Sequence, residues 1–382
     1  MRAHENRSRS SLPFEGRPVA IVHDWLTGMR GGEWVLDALC ELIPHAEIHT
    51  LVHVPGRLNP RIEAMTIHTS KIDRLPGAHR RHQPYLPLFP RAVESFDLAR
   101  FDFVISTSHC VAKGASAGPG ARHVCYCHTP MRYVWTFYDQ YFRNERTGML
   151  TRTLMPPIAS YLRKWDKRTA HRVDRYLANS RHVADRIRTI YGRESEVVHP
   201  PVDTRRFRPD APREDFLLMV TALVPYKRAD LAVRVCTERG LPLVVAGRGP
   251  EQEHLRAIAG PTVQFRGWVS DDEIADLYSR ARALVFPGEE DFGIVPLEAM
   301  ASGCPVIAYA RGGALETVVD GRDAPTGLFF RDQTTESLDR ALDRLETAEF
   351  DPAALRAHAE RFDRAVFLAR MTGILEEEEE RA

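Results

Sequence analysis

The chain predicts an α/β fold built from two doubly wound parallel sheets. Short apolar runs alternate with helix-period segments along most of its length, the signature of strand–helix–strand units. The alternation comes in two series, separated by Val198-His-Pro-Pro-Val-Asp203. Tandem prolines there suit a linker better than the interior of an element. A length of 382 residues leaves room for two or three domains.

In the first series, residues 18–23 form an apolar run of the buried-strand type. Gly31 and Gly32 then open a helix in which Val35, Leu39 and Leu42 share one face. Further strands are expected at 47–51, 103–106, 122–127 and 175–178, and Asn179-Ser180 is expected to cap a helix running to about Tyr191. In the second series the strands fall at 216–221, 243–246, 263–266, 283–286 and 305–308, with a helix over 271–282 behind the cap Ser270. A last helix is expected over about 354–380, ending in the solvated acidic run 376–380. The division is thus a disordered tail at 1–15, a first domain at 16–197, a linker at 198–212, a second domain at 213–353, and a C-terminal helix at 354–382 returning toward the first domain.

Composition narrows the function. Lys+Arg and Asp+Glu balance at 52 each, which argues against nucleic-acid binding as the main task. Residues 1–15 lack the apolar stretch of a signal peptide and no run is long enough to span a bilayer, so a cytoplasmic protein is expected. Six cysteines scattered through apolar segments read as reduced, buried thiols. His123-Val-Cys125-Tyr-Cys127-His128 has metal-ligand residue types but no second ligand pair, so a buried strand ending in a histidine is preferred and no metal site is expected.

Ligands of such sheets bind outside the carboxyl ends of the strands. Several chemically able residues fall there. Glu290 follows the strand at 283–286, and Glu298 lies eight positions on, in the first turn of a helix that Pro296 is expected to start. Carboxylates accept from sugar hydroxyls, and helix-terminal amides hold phosphate. Gly247-Arg248-Gly249-Pro250 is a strand-to-helix turn able to approach a ligand closely, though Gly-X-Gly alone is a weak signal. Lys227 and Arg228 follow the strand at 216–221. Two cations there could neutralise a diphosphate, and a lysine at a helix start opposes the helix dipole unless an anion binds. His128 ends the strand at 122–127, and Pro130 stops the ladder, so its imidazole is expected in a cleft between the domains. There is neither a full dinucleotide fingerprint nor the phosphate loop of NTPases.

Together these residues resemble the retaining nucleotide-sugar glycosyltransferases of family 4, which have the GT-B fold of two Rossmann-like domains facing across a cleft. The most specific match is Glu290-Asp-Phe-Gly-Ile-Val-Pro-Leu-Glu298 followed by Ala-Met-Ala-Ser-Gly-Cys-Pro-Val-Ile. Supporting matches are Gly31-Gly32-Glu33, His128-Thr-Pro130, His199-Pro-Pro-Val-Asp-Thr-Arg-Arg-Phe207, Val224-Pro-Tyr-Lys227, Ala246-Gly-Arg-Gly-Pro250 and Arg266-Gly-Trp268-Val269. They run in the family's order across about 17–370.

The resemblance implies roles. Glu298 would hold the donor ribose. Glu290, with the amides around Phe292, Gly293, Ile294 and Val295, would hold the transferred sugar and the phosphates. Lys227 would neutralise the leaving diphosphate, Gly31 and Gly32 would approach the same group from the first domain, and His128 would lie near the donor sugar. Gly247, Arg248, Gly249, Trp268 and Val269 would line the nucleotide. Where many members carry an arginine shortly before the lysine, this chain has Ala222, and Arg228 or Arg248 is the expected substitute. No Asp-X-Asp is placed to bind a metal–diphosphate, so no cofactor and no metal are expected.

The acceptor side is less legible. Residues 71–89 and 149–175 each combine basic and apolar side chains, as an anionic membrane or a lipid diphosphate would require, and as an ordinary packed helix also would. The expected partners are a nucleotide-sugar donor and a saccharide or lipid-linked acceptor, with possible peripheral membrane contact and no nucleic acid. Pro-Gly-Glu-Glu-Asp-Phe-Gly and Cys-His-Thr-Pro-Met-Arg-Tyr look most like mannosyltransferases of surface-polysaccharide assembly, which implies GDP-mannose. The alternatives are a UDP-sugar donor, a GT-B-like epimerase or phosphorylase, and a non-catalytic nucleotide-sugar-binding subunit.

Overall fold

A computed structural model of the chain describes residues 13–143, 148–209 and 211–381. Two compact units divide it: the described part of Met1–Asn179 with Val183–Val198 and Phe367–Ala382, and Ser180–His182 with His199–Val366.

The first unit holds a parallel sheet of β1 (Val19–His23), β2 (Glu47–Thr50), β3 (Thr66–Thr69), β4 (Phe103–Ser108), β5 (Arg122–Cys127), β6 (Arg175–Ala178) and β7 (Glu196–Val197), in the order β3-β2-β1-β4-β5-β6-β7. All residues of β1 and β4 are buried, which explains why they read as continuous apolar runs without alternation. β1 is flanked by β2 on one side and β4 on the other, so the winding reverses between β1 and β4. A crevice opens at such a reversal.

The second unit has a parallel sheet of β8 (Leu217–Val220), β9 (Leu243–Ala246), β10 (Val263–Gly267), β11 (Ala283–Phe286), β12 (Val306–Tyr309) and β13 (Gly327–Phe330), in the order β10-β9-β8-β11-β12-β13. Here the reversal lies between β8 and β11. Phe286, Phe292, Leu297 and Met300 pack in one buried cluster, which ties the strand–loop–helix segment carrying both glutamates into the core.

Several expectations need correction. Phe14, placed in the disordered tail, is fully buried and stacks on Phe103 at 4.1 Å between ring centroids; residues 1–12 of that tail lie outside the described residues. In the stretch read as a linker, Val202 and Phe207 are buried in the second unit's core, and Val202 pairs with Asp363. The single final helix is two, Pro352–Glu360 and Arg364–Arg381. The break follows from Asp363, whose carboxylate accepts from the Ala365 amide while Arg364 donates to Val202.

The acidic run is not wholly solvated either. Glu378 is fully buried, accepts from Arg122 at 3.1 Å and from Arg175 at 3.2 Å, and follows Phe367, Met371, Ile374 and Leu375 into the first unit's core. Strands β3, β7 and β13 were not foreseen. β3 is a polar, largely exposed edge and β7 has two residues.

Candidate active site

The second unit's site grows from three connections. After β8 the chain makes a 3-10 turn, Pro225–Lys227, then Arg228 in a left-handed conformation (φ 52°), then the helix Ala229–Arg239. Lys227 therefore precedes that helix by two residues and is not its first member. After β11, Pro287 and Gly288 lead to Glu290. Because β8 and β11 are neighbours, the two loops meet, and the Lys227 ammonium forms an ion pair with the Glu290 carboxylate. Gly288 permits this approach: a Cβ there would lie 3.0 Å from the Lys227 Cα.

Glu290 is held from the other side by β12's loop. Its carbonyl accepts from the Gly313 amide at 2.8 Å, and a Cβ on Gly312 would sit 2.2 Å from that carbonyl oxygen. Gly293, at φ 91°, turns the chain into the helix Ile294–Ala301. The helix thus starts at Ile294 and not at Pro296. Pro296 occupies its third position, where a missing amide hydrogen costs nothing because first-turn amides lack helical partners. Glu298 falls in the second turn, not the first. Phe292 is buried and stacks on His199, with centroids 5.2 Å apart.

Glu298 accepts from the Tyr278 hydroxyl at 3.1 Å. Burial raises its pKa, and the Tyr278 hydrogen bond and the positive charge of Arg206 partly offset that rise. Tyr278 is fully buried, so its hydroxyl is a fixed donor. Nothing in the sequence singled out Tyr278, since its partner lies in the next helix.

The turn after β9 needs glycine twice. A Cβ on Gly247 (φ 138°) would meet the Thr221 carbonyl oxygen at 1.8 Å, and one on Gly249 would meet that of Leu223 at 2.2 Å. Arg228 is engaged by Asp230 through two bonds of 3.0 and 3.1 Å. Among the described residues no carboxylate pairs with Arg248, which is exposed and lies against Gly267. Trp268 is 71% exposed, whereas Val269 is buried.

In the first unit, three histidines gather at the carboxyl ends of β1, β4 and β5. Gly32 lies in the first turn of the helix Gly31–Leu42, and a Cβ there would touch His128 Nε2 at 3.5 Å and His23 Cε1 at 3.8 Å. His23 Nδ1 bonds Thr107 at 2.5 Å, and its Nε2 is 3.8 Å from Glu33, which also accepts from the Arg30 amide at 3.0 Å. Asp24 accepts from four successive amides, His109 to Ala112, at 2.7–2.8 Å, and so fixes the loop after β4. Burial, and then His109 and His23, push the His128 pKa well below the usual histidine range. Sequence reasoning missed His109, whose meeting with Asp24 depends on β1 and β4 being adjacent.

Ser106 bonds His123 Nε2 at 2.8 Å, and Cys125 and Cys127 are packed with Tyr176 and Val183. Ser180 directly precedes the helix Arg181–Tyr191. Its hydroxyl donates to the Asp291 carbonyl at 2.6 Å, and Glu316 accepts from the Arg181 and His182 amides at 3.0 and 3.1 Å. On the helix Met149–Thr169, Met149, Leu150 and Leu154 are exposed but Met155 is buried. Arg163 and Arg172 are committed to Val134 and Glu94, which leaves Lys164, Lys167 and Arg168 at the surface.

Two wound parallel sheets, with strand-end loops carrying a lysine–glutamate pair and a helix-borne glutamate, define the GT-B class. Solved structures agree. Sucrose-phosphate synthase from Thermosynechococcus elongatus superposes with a TM-score of 0.70 at 17% identity, covering 96% of this chain and 100% of that one. Anabaena Alr3699/HepE in complex with UDP gives 0.68 at 15%, covering 94% and 100%. A model described as Glycosyltransferase Family 4 matches residues 29–206, and one described as Glycosyl transferases group 1 matches 203–362. The chain has the GT-B fold, and the two models in succession match residues 29–362.

It is 33% identical over 231 residues to the D-inositol 3-phosphate glycosyltransferase of Streptomyces bingchenggensis, a match covering 50% of each. It is 32% identical over 175 residues to the GDP-mannose-dependent alpha-(1-6)-phosphatidylinositol monomannoside mannosyltransferase of Mycolicibacterium smegmatis, covering 37% of this chain and 46% of that protein. The matches thus span about half the length of these curated relatives. Among the described residues no helix is long and apolar enough to cross a membrane.

Proposed function

We propose that this chain is a retaining transferase that moves a hexose from a nucleotide-sugar donor to a saccharide or lipid-linked saccharide. The observation that carries this reading is the meeting of Lys227 and Glu290 at the point where the second sheet reverses, beside the helix bearing Glu298. Cleaving the bond between the anomeric carbon and the diphosphate places negative charge on phosphate oxygens. Lys227 and the first-turn amides of the helix Ile294–Ala301 are aimed where that charge develops, and such fixed donors are the largest plausible catalytic term. The acceptor hydroxyl attacks the same face, and its proton passes to an oxygen of the departing phosphate. Glu290 grips the sugar hydroxyls and forms no covalent bond. Glu298, fixed by Tyr278, accepts from the ribose.

Arg248 takes the place of the basic residue missing at Ala222, because Arg228 is already bound to Asp230. In the first unit, His128 and the Gly31-Gly32 turn serve the donor sugar, with His128 acting as a neutral hydrogen-bonding ring. The chemistry uses no metal or cofactor, in keeping with the lack of an Asp-X-Asp for a metal–diphosphate.

For the donor we favour GDP-mannose, in surface-polysaccharide assembly. The Mycolicibacterium relative is named for that donor, and the loops around Glu290 and His128 resemble mannosyltransferases. A UDP-sugar is the second reading, favoured by the fold likeness to a protein solved with UDP. Met149, Leu150 and Leu154, followed by Lys164, Lys167 and Arg168, support peripheral attachment to an anionic membrane.

A thermal-shift screen of GDP, UDP and their sugars, followed by transfer assays, tests the proposal. Stabilisation by UDP and not GDP would remove mannose. Donor binding with neither transfer nor donor hydrolysis would leave a binding subunit only.

A further inference from the structure

Away from the strand ends just described, Glu47, His49 and His68 lie together on the outer strands of the first sheet. Glu47 and His49 are two apart on β2 and so point to the same face. β3 is the edge strand, and its His68 is the direct partner of His49 across the ladder. The two imidazoles stack at 4.7 Å, His68 Nε2 sits 2.6 Å from a Glu47 carboxylate oxygen, and one ligand atom from each of the three lies within 4.8 Å of the others.

We propose that Glu47, His49 and His68 form a binding site for a divalent transition-metal ion of the zinc class, which clasps the edge strand β3 to β2. Two imidazoles and a carboxylate match the ligand preferences of zinc. Tetrahedral coordination needs ligand atoms about 3.3 Å apart, given metal–ligand bonds of ~2.0 Å, so small rotations about the side-chain torsions complete the site. A water supplies the fourth position.

Two features mark this as more than a surface cluster. His49 is only 5% exposed, walled by Phe96 and Phe101, and its Nε2 is buried with no hydrogen-bond partner. A buried nitrogen without a partner is costly, and a metal bond is one way to satisfy it. Arg100 pairs with the same Glu47 carboxylate, its side chain 59% exposed and its guanidinium over the Phe101 ring at 4.3 Å. The two cations compete for one carboxylate.

Titration of the chelator-treated full-length chain with ZnCl2 by calorimetry tests the site. The wild type should bind one zinc, and His68→Gln and Glu47→Gln should each weaken that binding at least about tenfold. Both altered side chains are partly exposed, so both variants should keep the wild-type circular dichroism and, without zinc, its activity. Arg100→Gln, which releases Glu47, should bind zinc more tightly. No binding by the wild type, or equal binding in wild type, His68→Gln and Glu47→Gln, would overturn the proposal. Unchanged or weaker binding in Arg100→Gln would overturn the shared use of Glu47.

Discussion

Lys227 and Glu290 form an ion pair although β9, β10, β11 and three helices separate them along the chain. The pair neutralises the lysine in the absence of donor. On the proposed reading, a diphosphate entering this corner would exchange one anionic partner for another, and Glu290 would turn to the sugar hydroxyls. Lys227→Ala should lower turnover by about 10²–10³, the usual cost of removing an electrostatic donor. Glu290→Gln should also act mainly on turnover. Steady-state kinetics decide this: a rise in donor KM with unchanged kcat in either variant would contradict the assignment.

Glu298→Ala should chiefly weaken donor binding. Tyr278→Phe is the finer probe, because it removes only the 3.1 Å hydrogen bond that orients the carboxylate. A loss of about 1 kcal/mol in donor affinity, roughly five- to tenfold, is expected with kcat preserved. Calorimetry with the nucleoside diphosphate reads it directly. Wild-type affinity in Tyr278→Phe would show that Glu298 needs no such support.

Gly247→Ala should be severely destabilising. Its φ of 138° and the 1.8 Å approach of a Cβ to the Thr221 oxygen leave no relaxed conformation, and overpacking combined with backbone strain costs several kcal/mol, on the order of 2–5. Gly321→Ala, where a Cβ meets nothing within 4 Å, is the control. Melting curves of the two variants should differ by many degrees.

Acid should weaken the fold well before the carboxylates titrate. Burial holds His49, His82 and His123 at about 4, against 6.5 for the free side chain. His82 is lowered further by Arg30 and His109. In the unfolded chain these rings take up protons below pH 6.5, while the folded ones stay neutral until about pH 4. Stability is therefore full above pH 6.5 and falls progressively between 6.5 and 4, by roughly 1 kcal/mol per histidine at pH 5.5. Urea melts at pH 7.5, 6.5 and 5.5 check the sign. A flat profile across that window would mean these rings are solvated.

Transfer activity should survive EDTA, because in the proposed chemistry Lys227 and backbone amides stabilise the charge that develops on the leaving phosphate. Loss of activity on chelation, restored by a divalent ion, would contradict that mechanism. It would not touch the zinc clasp, which is read from calorimetry of variants remote from the strand ends.

Much of the strand framework was legible because strands buried on both faces leave continuous apolar runs, as at 122–127, 175–178, 243–246 and 283–286. β3 escaped because an exposed edge strand, Thr-Ile-His-Thr, carries no such signal. The helix start at Ile294 was misplaced because Pro296 is a strong marker, whereas the deciding feature is the left-handed Gly293.

By itself the sequence determined the two-series α/β pattern, the residue types at the strand ends, and the spacing of Glu290 and Glu298. Those follow from local periodicity and chain connectivity. Only the tertiary structure decided which strand ends are neighbours. Sheet order put β8 beside β11 and β1 beside β4, and so brought Lys227 to Glu290, and His109 to His23 and Asp24. It also seated the buried Glu378 between two half-buried arginines, Arg122 and Arg175, and placed His68 opposite His49. Such pairings join residues distant in the chain, and strand register, which sets them, is fixed by packing on both faces of each sheet.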